Sequence, residues 1–114
     1  MFEKNMEIGY LLDFYGDILP ERRRDIMDLL YNVVLSLSEI AEQMGITRQA
    51  VRDSIKKTEQ ELFFYEEKLG LRRRLTEAET RVETAITLCR AAGDNIPPAL
   101  AEELEAIRRA VALD

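Results

Sequence analysis

The chain has 114 residues, 46% hydrophobic and 33% charged, with a formal net charge of −6. That is enough apolar material for one core, or one core with an appendage. A single cysteine, Cys89, and no histidine exclude an intrachain disulfide and a zinc site of the usual ligands, so no cofactor is expected. Only 5 Gly and 3 Pro argue against a turn-rich β-fold.

The first apolar stripe, Ile8, Leu11, Leu12 and Tyr15, recurs at helical spacing and predicts a helix from Glu3 to Tyr15, broken by Gly16-Asp17. A second helix is expected to start with Pro20 in its first turn and to end near Tyr31-Asn32. Ile26, Leu29, Leu30 and Val33 would be its core face. The third is expected over Ser38–Met44, with Ser36 or Ser38 as N-cap and Leu37, Ile40, Ala41 and Met44 turned inward. Gly45 can take the left-handed conformation that ends a helix, and Thr47 can cap a fourth helix from Arg48.

No stop signal follows until Gly70, and Val51, Ile55, Thr58, Leu62, Tyr65 and Leu69 form a heptad-like seam. Packing against the first helix and support of a dimer are both open to that seam. Phe63-Phe64-Tyr65 is read as a buried or interface patch, since aromatics at helical spacing mostly pack. Beyond Gly70, Leu75, Ala78, Val82, Ala85 and Cys89 form one stripe, which suits an inert core thiol at Cys89. Leu100, Leu104, Ile107 and Val111 form another, and the GDNIPP turn between the two predicts an antiparallel helical hairpin. The expectation is an all-α protein with a helix-turn-helix domain over 1–69, its motif near 37–56, and a C-terminal helical extension over 70–114 that can serve dimerisation.

The motif carries the functional signal. Ala41 lets two helices approach, Gly45 turns the chain in about three residues, and Ile40, Met44, Ile46 and Val51 fill the wedge between them. On the opposite side stand Arg48, Gln49, Arg52, Asp53, Lys56 and Lys57. In such motifs the start of the second helix enters the major groove. Arg48 and Arg52 can donate to guanine and Gln49 can pair with adenine, while Thr47, Lys56 and Lys57 can hold phosphates. Arg48–Thr58 holds four basic residues and one acid, a local +3. The rest opposes it: residues 1–69 hold 9 basic and 14 acidic residues, and 70–114 hold 7 and 8. A solvated helix face is the plain alternative. The arginine triplets Arg22–Arg24 and Arg72–Arg74 read first as solvated helix ends and second as phosphate or acidic-partner contacts. No phosphate loop or convergent acid–base set is present, so an enzyme is not expected. MFEKNMEIGY lacks a signal-peptide core, and no apolar run approaches the roughly 18 residues that span a bilayer.

LPERRRDIMDLLYNVVLSLSEIAEQMGITRQAVRDSI resembles the C-terminal DNA-binding domain, domain 4, of bacterial sigma factors. LLDFYGDIL, LSLSEIAEQMGITRQAVRDSIKKTE and YEEKLGL together are similar to the YlxM family of small bacterial helix-turn-helix proteins, whose genes lie near that of the signal recognition particle GTPase. The resemblance covers about Met6 to Leu71. It implies a cytoplasmic, all-helical, often dimeric protein that takes part in or regulates the signal recognition particle pathway. The implied partners are DNA or the particle's RNA, the particle's GTPase, and a second copy of the chain. Val33-Val34 depart from the acidic residues expected in that loop, and the tail beyond Leu71 is not matched by this resemblance. The alternative function is a protein–protein interaction module with a vestigial DNA-reading surface.

Overall fold

A computed structural model describes residues 5–112, and among them every regular element is helical. The chain divides after Gly70 into two compact units. The first contains α1 (Met6–Tyr15), a 3-10 turn (Gly16–Ile18), α2 (Glu21–Tyr31), α3 (Leu37–Met44) and α4 (Arg48–Leu69). The second contains α5 (Leu71–Ala92), a 3-10 turn (Gly93–Asn95) and α6 (Pro98–Val111).

In the first unit α4 is the spine, packed by α1, α2 and α3. Val51, Ile55, Thr58 and Leu62 make its buried line, against a core of Ile8, Leu11, Tyr15, Ile26, Met27, Leu30, Leu37 and Ile40. Packing against the first helix is therefore a role of the seam, although its end, Leu69, is exposed. Polar ties reach the far half of α4. Arg23 donates to both oxygens of Glu61 at 2.8 Å, with the two side chains only 18% and 28% exposed. The Tyr15 hydroxyl donates to Glu66 Oε1 at 2.7 Å, and its ring lies 5.8 Å from that of Tyr65. The first arginine triplet is thus largely structural: Arg24 pairs with Asp17, and Arg22 Nη2 donates to the Met44 carbonyl at 3.4 Å.

Several expectations shift. Asn5 caps α1 by accepting from the Glu7 N–H, so the helix starts at Met6; Glu3 lies outside the described residues. Pro20 is the N-cap of α2 rather than its first helical residue. Met27, not Val33, completes the buried face of α2, because the helix ends at Tyr31 and the chain turns away. Within that turn Val34 has φ 65°, a costly left-handed conformation for a β-branched side chain. Ser36 rather than Ser38 caps α3. Phe63 and Phe64 are 46% and 53% exposed, which overturns burial for that pair. Consecutive helical residues point about 100° apart, so a triplet cannot share one core-facing line; Leu62 and the half-buried Tyr65 take it.

In the second unit α5 and α6 form the expected hairpin, with Pro97 as N-cap and Pro98 opening α6. Its register is fixed by Arg108 Nε to Glu83 at 2.8 Å and Arg90 to Glu105 at 3.7 Å. Ile86, absent from the expected stripe, is the one buried hydrophobic residue of this unit among the described residues. Cys89 is half-buried rather than in a core, and Leu100 and Ile107 are exposed. A two-helix hairpin has too little depth to enclose both stripes.

Three stability outcomes follow. Thr58 Oγ1 is buried without a hydrogen-bond partner, so Thr58→Val is expected to raise stability by roughly 1 kcal/mol in urea unfolding. Arg23→Ala should cost roughly 1–3 kcal/mol by stranding the half-buried Glu61. Val34→Asn should gain about 1 kcal/mol, because asparagine tolerates the left-handed region.

Candidate nucleic-acid interface

The motif is built from α3, a three-residue turn and α4. Ser36 and Glu39 form a reciprocal capping box: the Glu39 N–H donates to Ser36 Oγ at 3.1 Å, and the Ser36 N–H donates to Glu39 Oε1 at 3.0 Å. These contacts, the Ser36 backbone first, hold the Glu39 carboxyl below its ordinary range. At the other end Gly45 sits at φ 69°, and the N–H groups of Gly45 and Ile46 return to the last carbonyls of α3. A Cβ on Gly45 would meet no atom within 4 Å, so its backbone conformation rather than lack of space calls for glycine. Arg22 adds a side-chain donor to the same carbonyl cluster. Thr47 Oγ1 then accepts from the Ala50 N–H at 3.0 Å and starts α4.

The wedge between the helices holds Ile40, Ala41 and Val51, all buried, with Met44 and Ile46 half-buried at its edge. Ala41 is the small residue of this wedge. These contacts leave the flank and the far side of the start of α4 outside, and Thr47, Arg48, Gln49, Arg52, Lys56 and Lys57 are all exposed.

Helical spacing sorts this face into two adjacent rows. Arg48, Arg52 and Lys56 form one; Gln49, Asp53 and Lys57 form the other. None of the four cations enters an ion pair among the described residues. Gln49 differs from expectation: its Nε2 donates to Asp53 Oδ1 at 2.8 Å, so part of the amide intended for adenine is already engaged. The signal for this pair in the sequence is the i,i+4 spacing of an amide and a carboxylate.

Just beyond Lys56 the surface turns acidic. Glu59 is half-buried, and burial pushes its carboxyl above the ordinary value, countered in part by the Lys56 charge. The Tyr31 hydroxyl, which accepts from the Asn5 N–H at 3.2 Å, is raised by burial, less so for that hydrogen bond, and further by the Glu59 charge. Phe64 lies under Lys68, whose Nζ is 5.7 Å from the ring centroid.

A capped turn, an alanine contact and a projecting second helix define a helix-turn-helix protein. Over residues 2–89 the chain matches the family model described as "Putative helix-turn-helix protein, YlxM / p13 like". It belongs to that family, UPF0122. It is 54% identical over 65 residues to a UPF0122 protein of Desulforamulus reducens, covering 57% of this chain and 56% of that protein. It is 46% identical over 82 residues to one of Bacillus cereus (strain AH187), covering 72% and 74%. With one of Geobacillus kaustophilus it shares 51% over 74 residues, covering 65% and 67%. The match therefore spans little more than half the length of the first of these relatives. The family is defined by a helix-turn-helix rather than by catalysis. No helix among the described residues is long and apolar enough to cross a membrane.

Two carboxylates beside the interface give opposite pH responses. Glu39 is lowered in the fold, so its stabilisation is present above the ordinary carboxylate value and is lost as pH falls through its lowered folded value. Glu59 is raised, so its ionisation in the fold opposes stability as pH rises through its raised folded value. Thermal unfolding at several pH values should show Glu59→Gln stabilising at neutral pH, with the gain fading as pH falls through the raised folded value and gone below about pH 4. Glu39→Gln should destabilise at neutral pH and converge with the parent protein in acid.

Proposed function

We propose that this chain is a non-enzymatic regulatory protein that binds nucleic acid through the first three turns of α4. The carrying observation is the row Arg48, Arg52 and Lys56, exposed and outside any ion pair of the described residues, on the second helix of the motif. In this reading Arg48 and Arg52 address base edges, and Thr47, Lys56 and Lys57 hold phosphates. The Thr47 oxygen is used in capping, and its proton is left to donate outward. Binding depends on this local patch, because the chain as a whole is acidic. The proposed setting is the signal recognition particle pathway in the cytoplasm, supported by membership of the YlxM-like family together with the resemblance described above.

A second reading is favoured by Phe63 and Phe64, which stand exposed on α4 about two turns beyond Lys56 and Lys57. There the chain is a protein–protein interaction module, with the particle's GTPase or a second copy of itself as partner. The incompletely covered stripes of α5 and α6 support the homodimer.

Titration of labelled duplex DNA and of the particle's RNA at two salt concentrations separates the readings. Binding to one of them should fall at least about tenfold in an Arg48→Ala, Arg52→Ala variant, since each bidentate base contact contributes about 1–3 kcal/mol. Lys56→Ala with Lys57→Ala should flatten the salt dependence on duplex DNA by about 0.9 in log–log slope per lost phosphate contact. No binding to either nucleic acid, with capture of the GTPase that a Phe63→Ser, Phe64→Ser variant abolishes, would establish the second reading instead. Sedimentation of a monomer at tens of micromolar, about the range of weak association, would exclude the homodimer.

A further inference from the structure

The two rows on α4 differ in hydrogen-bonding character. Arg48, Arg52 and Lys56 are all donors. The neighbouring row begins with Gln49 and Asp53, joined by the 2.8 Å bond from Gln49 Nε2 to Asp53 Oδ1. That bond steadies the Asp53 carboxylate and leaves its second oxygen, with Gln49 Oε1, as outward acceptors. Asp53 is exposed, so its carboxylate has no role in the core. It also stands among four cations, where on charge grounds alone it weakens attraction to phosphate.

We propose that Arg52 and Asp53 together select a G·C pair in duplex DNA, with Arg52 donating to guanine O6 and N7 and Asp53 accepting from cytosine N4. The proposal rests on the nucleic-acid reading above and adds the class of sequence. In the major groove a G·C pair presents two adjacent acceptors and then a donor, which complements a guanidinium fork beside a carboxylate. An A·T pair places its one donor, adenine N6, between two acceptors, so it has no adjacent acceptor pair for the fork. Thymine O4 would also set an acceptor against the carboxylate. Adjacent helical residues diverge by about 100°, which directs the two side chains to opposite strands of a pair below the helix. Duplex RNA does not satisfy this arrangement, because its deep, narrow major groove is closed to such side chains.

The test uses the full chain and a panel of DNA duplexes that differ by single G·C to A·T exchanges, with a matched RNA duplex. The parent protein is expected to prefer G·C at one position by roughly fivefold to a hundredfold, the range of a good base contact. Asp53→Ala, which removes the acceptor altogether, should shrink that preference to what Arg52 alone supplies, and should bind the A·T-exchanged duplexes at least as well because one repelling charge is gone. Circular dichroism confirms that this exposed variant is folded. An unchanged preference in Asp53→Ala overturns the proposal. So does a uniform rise in affinity with no preference in the parent, which leaves Asp53 as a repelling charge only. In both cases DNA binding persists and the broader reading stands. Tighter binding to the RNA duplex overturns the G·C assignment alone, whereas no binding to any duplex removes the DNA reading on which it rests.

Discussion

Arg23 grips Glu61 with both guanidinium arms, and through that contact α2 holds the far half of α4 while α3 holds the near half. One helix thus belongs at once to the core and to the outer surface. Val51, Ile55 and Leu62 bury one side of it completely. The same packing fixes the rotation of α4 about its axis, and hence which residues face outward at its start. Arg48, Arg52 and Lys56 run along one flank of that buried line, with Gln49 and Asp53 on the side opposite it, so the proposed binding face is a consequence of packing as much as of composition.

The two ends of the motif are set by separate local devices. The capping box at Ser36 and Glu39 satisfies the first turn of α3, and Gly45 closes its last turn. Thr47 restarts the chain two residues later. Arg22 joins this closure from α2 through the Met44 carbonyl. The run Arg22–Arg24 therefore makes contacts within the fold, half-buried at Arg23 and at the surface for the other two, and the cations that start α4 stand apart from it.

Much of this was legible in the sequence because short-range rules carry it. Gly45, Thr47 and Gly70 mark the ends of α3 and α4, and each acts within a few residues. The wedge of Ile40, Ala41 and Val51 was equally plain, since few residues fit a close helix crossing. What escaped depends on contacts distant in sequence or on the path of a turn. Nothing local to Arg23 names Glu61, 38 residues away. Nothing in Asn-Val-Val announces that Val34 will turn left-handed and remove Val33 from the core. Periodicity also overstated the second unit: a stripe such as Leu100–Val111 tells which face is apolar, but only a neighbour can cover it. On the candidate binding face the identities of the donors were legible, while the pairing of Gln49 with Asp53 depends on side-chain rotamers.

The uninterrupted span of α4 has an electrical consequence. It is about 33 Å long at 1.5 Å per residue, well beyond the roughly 12 Å width of a major groove. Its five cations and five carboxylates cancel in total but are unevenly distributed. Four of the cations precede Thr58, and four of the carboxylates follow it, at Glu59, Glu61, Glu66 and Glu67. The helix is therefore a neutral rod with a positive front and a negative rear, and its backbone dipole points in the same sense. In the field of a polyanion such a rod feels a torque before it touches anything. The helix presents its basic end first and holds its acidic half behind.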